Sequence, residues 1–261
     1  MASLDTAKSR ALDYAAELRA TSEVRQYFTE IIIGRNGQLM GAFQHEPAAK
    51  ARLVEAAKLK ATPSSALYRG LFIQANSIFE AYVRDLSSIV VEHKASRAKK
   101  YSELPHSFRL QHIYFSGQIL QHMKTGTLAG QKFNFDGLTD ALGKCFSDAQ
   151  PFSIMPEVFT LMMGNVTPDR LDSLFQKIGL PEPFNPGVGR NAAIKKVLNE
   201  TRQPSAAKLA SEKLLAIVGL RNTLVHGDLS ATVEQSDFEE ALGFLEAMVE
   251  ALDELARPVL V

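Results

Sequence analysis

Residues 215–229 read LAIVGLRNTLVHGDL, and three side chains in them could do chemistry together: Arg221, Asn222 and His226. A guanidinium stays charged at any working pH, and its planar fork can grip two phosphate oxygens at once. An imidazole titrates near neutrality and can move protons. The amide of Asn222 can orient either group without adding charge. Together they have the parts needed to hold and cut a phosphodiester.

The spacing alone decides little, because an arginine followed four to six residues later by a histidine occurs about once by chance in a chain of this composition. Context adds more. On a helical wheel with Leu214 at zero, Ala210, Ile217, Val218 and Val225 fall within about 60°, and Arg221 lies about 20° from the centre of that apolar arc. A cation on a buried face needs acceptors or an anion, since an unpaired buried charge costs several kcal/mol. His226 directly precedes Gly227, which reads as the helix terminator. In an ideal helix it lies about 140° round from Arg221. The pair can then meet only by unwinding at the glycine or by converging from two subunits. On the residues alone a second reading stands beside the catalytic one: Arg221 in an internal salt bridge and His226 as an ordinary helix cap.

The elements that must position these residues are helical. The 261-residue chain is 46% hydrophobic and 22% charged, with 29 basic and 29 acidic residues. The balanced charge excludes a whole-molecule positive field, so any nucleic-acid contact must be local. One cysteine, Cys145, excludes an internal disulfide and fits a reducing, cytoplasmic setting. The opening MASLDTAKSR shows no signal-peptide pattern, and no apolar run is long enough to span a membrane. Apart from EIIIG at 30–34, strand signals are scarce, so the expected fold is an all-α helical bundle.

Helices are expected over about 5–30, 46–61, 64–93, 107–123, 136–147, 167–179 and 205–225, with a last one from Ser236 onward. The GRNGQLMG stretch between the first two reads as a turn. In 64–93 the stripe Leu67, Leu71, Ala75, Ile78, Tyr82, Leu86 and Ile89, widened by Phe72, Phe79, Val83 and Val90, suits a helix covered from several sides. In SDFE, Ser236 and Glu239 match a capping box. The last two helices are expected to run antiparallel as neighbours. Three regions follow: N-terminal helices over 1–62, a bundle over 63–125 and 205–261, and an insertion or helical subdomain over 126–204.

Other candidates carry plain alternatives. Glu80 falls on the polar flank of its helix; it could tune Arg221 or His226, or simply pair with Arg84 one turn on. The run His93, Lys94, Arg97, Lys99, Lys100 could track an RNA backbone with Tyr101 as a stacking ring, or be a solvated connector. His106, His112 and His122 lack metal-ligand spacing and read as structural. NPGVGRN at 185–191 lacks the lysine and preceding strand of a phosphate loop. Cys145, among apolar residues, reads as an inert core thiol.

LRNTLVHGD resembles the signature of the HEPN superfamily, in which an arginine, a polar residue and a histidine close one helix just before the last. With ALYRGLFIQANSIFEAYVRDLSSIV and ELPHSFRLQ it is most similar to the RiboL-PSP-HEPN branch, over about 63–125 and 205–256. The resemblance implies a metal-independent endoribonuclease with no cofactor, whose RNA site forms where two signature helices meet in a homodimer. It makes Arg221, His226 and Asn222 the catalytic set and Glu80 a supporting residue; Thr223 is read beside them as supporting, and the basic residues Lys94, Arg97, Lys99 and Lys100 are read from their charge as the RNA track. RNA carries its own nucleophile, the 2′-hydroxyl, so such a site has only to move protons and stabilise charge on the phosphorane. Such proteins commonly act as toxins or in antiviral defence, which leaves room for a neutralising antitoxin protein as partner. The alternative of another class is a non-catalytic helical protein-interaction module.

Overall fold

The computed structural model describes residues 3–28, 38, 45–58, 65–123, 127–128, 133–161, 164–185, 187–227 and 230–260. EIIIG and most of GRNGQLMG lie outside them. The architecture is all-α. The helices are α1 (Leu4–Phe28), α2 (Pro47–Lys58), α3 (Ser65–Arg97), α4 (His106–His122), α5 (Phe135–Phe146), α6 (Pro168–Ile178), α7 (Ala192–Val197), α8 (Gln203–Val225) and α9 (Gln235–Ala256). One antiparallel ladder of two-residue strands, β1 (Thr127–Leu128) and β2 (Phe133–Asn134), precedes α5. None of the described helices is long and apolar enough to cross a membrane.

Helix α3 is the axis of the bundle. It packs against α9, α1, α8 and α6 and the short turn Pro156–Phe159. Neighbours on several sides explain the wide apolar arc. Burial centres on Tyr68, Leu71, Phe72, Ala75, Phe79, Tyr82, Val83, Leu86 and Val90, while Leu67, Ile78 and Ile89 are only partly covered. Burying each large apolar side chain contributes about 1.5–3 kcal/mol. Tyr82, fully covered, still satisfies its hydroxyl by donating to Val249 O (3.2 Å), which ties α3 to α9.

The segment expected as an insertion, 126–204, shares this core: Val158, Phe159, Val166, Leu171, Leu174, Phe175, Val188 and Ile194 join the same cluster. NPGVGRN does not cradle a phosphate; its turn Gly187–Arg190 packs on α8. A Cβ on Gly189 would lie 2.9 Å from Ala207 N, so glycine is what allows α8 to approach. Asn191 then caps α7 by accepting from Ile194 N (3.0 Å), a short helix not foreseen from the sequence.

Two local expectations are corrected. The capping box of α9 is Glu234 with Asp237, not Ser236 with Glu239: Glu234 N donates to Asp237 Oδ2 at 3.0 Å, and the Glu234 carboxylate accepts in return. The helix starts earlier because Val233 and Phe238, both fully buried, occupy the two positions of a hydrophobic staple around that box. Val225, assigned to the apolar arc of α8, is 49% exposed, while Leu224 beside it is buried, so the covered face shifts at the last turn. α8 and α9 are bridged by the Lys213–Glu240 ion pair, but each makes closer backbone packing with α3.

Candidate active site

Arg221 continues the buried line Ala210, Leu214, Ile217 and Leu224 of α8, and it emerges half-buried near the helix end. What it meets there is not a carboxylate. Its Nη1 donates to Asn222 Oδ1 (3.2 Å) and to Asn165 Oδ1 (3.2 Å), and Asn165 Nδ2 donates to Asn222 Oδ1 (2.7 Å). Two neutral amides thus steady the guanidinium without cancelling its charge. Its Nε is buried and has no hydrogen-bond partner among the described residues. Among the described residues Arg221 forms no ion pair, so the internal salt bridge weighed from the sequence is not what holds it. A buried donor left unmet costs about 1–3 kcal/mol, which an anion arriving at that edge can recover.

Asn165 lies outside every motif read in the sequence. It sits in the loop before α6, braced by Val166 in the core and by Arg170, whose Nη1 donates to Asn165 O (3.4 Å). Only the glycine-asparagine pairing at 164–165, a turn signal, could have drawn attention to it, and that marks a bend rather than a partner.

His226 is the residue that closes α8. Its backbone amide donates to Asn222 O (2.9 Å), and Gly227, at φ 84°, reverses the chain as the sequence suggested. The imidazole is exposed and makes no hydrogen bond among the described residues. Within one chain it is not brought onto Arg221. Thr223 is turned to its own helix, donating to Gly219 O (3.1 Å), and among the described residues makes no side-chain hydrogen bond to Arg221 or His226.

Glu80 is buried at 8% exposure, not on a polar flank, and its charged partner is Arg84 at 3.9 Å. The pairing along the helix is the one observed, and the wide burial of α3 accounts for its cover. The basic run divides. Lys94 donates to Gly179 O (3.0 Å) at the C-terminal end of α6, and desolvation there lowers its pKa. Arg97 reaches His93 Nε2 at 3.4 Å, while the side chains of Lys99 and Lys100 are exposed. His93, Lys94 and Arg97 line a groove of about 400 Å³ closed by Val259. The 11 residues of α6 stand between that groove and Asn165, a separation of about 16 Å along the axis.

Tyr101 offers no stacking ring to a ligand. It is 3% exposed, its hydroxyl lies 3.0 Å from His112 Nδ1, and Phe152 packs edge-on against it. His112 is a core residue, whereas His106 and His122 are exposed. Burial raises the Cys145 thiol to about 11, as an inert core thiol requires. Among the described residues no three His, Cys, Asp or Glu side chains converge into a possible metal set.

Comparison with known proteins gives one family: the RiboL-PSP-HEPN model matches residues 50–257, a stretch that holds Asn165, Arg221, Asn222 and His226. Neither the comparison with curated proteins nor that with solved structures found a match. The family points to an RNA-related, nuclease-type function in general. With all-α architecture, a match over most of the chain and the arginine–histidine signature closing the penultimate long helix, the chain belongs to the RiboL-PSP-HEPN branch of the HEPN superfamily.

Proposed function

We propose that the protein is a metal-independent endoribonuclease that works as a homodimer and serves as a toxin or antiviral defence effector. The observation that carries this is Arg221: a partly buried cation held by two neutral amide oxygens, with a covered Nε–H that nothing among the described residues accepts. Arginine in that state is prepared for a phosphate. In the proposed reaction the RNA 2′-hydroxyl attacks the adjacent phosphorus while Arg221 stabilises the charge building on the phosphorane. His226 transfers the proton, a role worth about 10²–10⁴ in rate. Asn222 keeps the guanidinium in place. The bond to the 5′-oxygen breaks, leaving a 2′,3′-cyclic phosphate and a 5′-hydroxyl.

Geometry within one chain supports the dimer. Arg221 and His226 are five residues apart on α8, so they leave it on different sides. His226 shares its side with Leu215, which is 57% exposed, and with Gly219, above which there is open space. In the proposed dimer the ends of two α8 helices meet, so that the guanidinium of one chain and the imidazole of the other serve one strand. Lys99 and Lys100 would guide the strand from further away, and a neutralising antitoxin would be a partner acting on this surface.

His226 at the cap position favours, taken singly, the non-catalytic interaction module. One experiment separates the two. Purified protein is incubated with single-stranded RNA in excess chelator, and the ends of the products are mapped, beside His226→Ala. Cleavage to cyclic-phosphate ends that drops at least 100-fold in the variant supports the enzyme. Intact RNA with the wild type, or equal cleavage by both proteins, sinks it. Growth arrest on expression of the wild type but not the variant would support the toxin role.

A further inference from the structure

A second arginine meets the asparagine that steadies Arg221. Arg170, in the first turn of α6, donates from Nη1 to Asn165 O (3.4 Å), while Arg221 Nη1 donates to the Oδ1 of the same residue (3.2 Å). Two guanidinium groups from different helices therefore meet at one neutral residue, Arg221 at its side-chain oxygen and Arg170 at its backbone carbonyl. Among the described residues Arg170, like Arg221, forms no ion pair. The nearby acid Asp172 is engaged elsewhere, accepting from Phe184 N at 2.9 Å.

The resting place of Arg170 is built into the backbone. Gly164, at φ +65°, lies directly under it, and a Cβ there would be 2.6 Å from Arg170 Nη1. Arg170 is exposed on its outer side, so this cation is both held and reachable. Two un-neutralised charges held at one residue suit consecutive anions of a polymer better than one free anion, because each phosphate of the strand then finds its own partner.

We propose, resting on the ribonuclease reading, that Arg170 is a second phosphate contact of the RNA site: a strand that lays its scissile phosphate on Arg221 lays a neighbouring one on Arg170. The contact is with backbone only, so it adds affinity without reading sequence.

The test uses the full chain and a single-stranded 2′-O-methyl RNA oligonucleotide, whose blocked 2′-oxygen prevents cutting. Dissociation constants are measured over a series of salt concentrations for the wild type, Arg170→Ala and Arg170→Lys, with thermal midpoints as a check on folding. Arg170→Ala is expected to bind about tenfold more weakly on every sequence, with the slope of log affinity against log salt shallower by about 1. Arg170→Lys should keep most of that slope, and all three midpoints should agree. Unchanged affinity and slope in Arg170→Ala overturns the second contact while leaving the ribonuclease reading intact if the wild type still binds and cuts unmodified RNA. A wild type that neither binds nor cuts removes both.

Discussion

His112 makes folding stability depend on pH in a way that can be isolated. The ring is 2% exposed, lies 3.0 Å from the Tyr101 hydroxyl and stacks with Phe159 at 6.2 Å between centroids. Tyr101 in turn donates to Arg109 O (3.3 Å). Burial lowers the His112 pKa from 6.5 to about 4, so the folded protein keeps the ring neutral where the unfolded chain would protonate it. Between those two values the unfolded state binds more protons, and stability therefore rises with pH. The contribution is whole above pH 6.5 and is lost as pH falls towards 4. From pH 7.5 to pH 4.5 the loss for this one group is ~2.5 kcal/mol. Urea unfolding at both pH values measures it, run in parallel on His112→Gln, which keeps a hydrogen-bonding group and cannot titrate. Carboxylates act alike in the two proteins, so the wild type should lose ~2.5 kcal/mol more than the variant. Equal losses would refute the reasoning. The outcome bears on the site too, because Phe159 belongs to the segment that leads into Asn165.

Further predictions concern the frame around α8. Gly189→Ala should lower stability by ~1–3 kcal/mol or more, because the added methyl runs into the Gln203 backbone carbonyl and meets Ala207 N at 2.9 Å. A fall in the urea midpoint with unchanged slope shows it; an unchanged midpoint means that α8 can move away. Glu234→Ala should cost ~1 kcal/mol through loss of the α9 cap, whereas Ser236→Ala should stay within ~0.5 kcal/mol, and the reverse order would restore the Ser236 cap read from the sequence.

Much of the fold was legible because it rests on periodicity. The limits of α3, α4, α5, α6 and α8 fell within a few residues of expectation, since proline entries, glycine exits and the 3.6-residue repeat are local signals. The left-handed Gly227 ending α8 is one of them. Glu80 and Tyr101 went the other way. Glu80 falls on the polar flank of the wheel and Tyr101 follows two lysines, but elements distant in the chain cover both, and burial by remote elements leaves no mark on a helical wheel. The α9 cap was missed for a related reason: Val233 and Phe238 pull the start of the helix forward into the core.

The sequence by itself determined that this is an all-α member of the HEPN superfamily with Arg221 and His226 closing one helix, because residue type and helical spacing are properties of a short stretch. Only the tertiary structure decided what Arg221 touches. Asn165 is 56 residues away, on a loop held by its own core contacts, and no local pattern encodes the meeting of two such segments. That meeting leaves the guanidinium steadied but still charged, the state in which an anion can bind it.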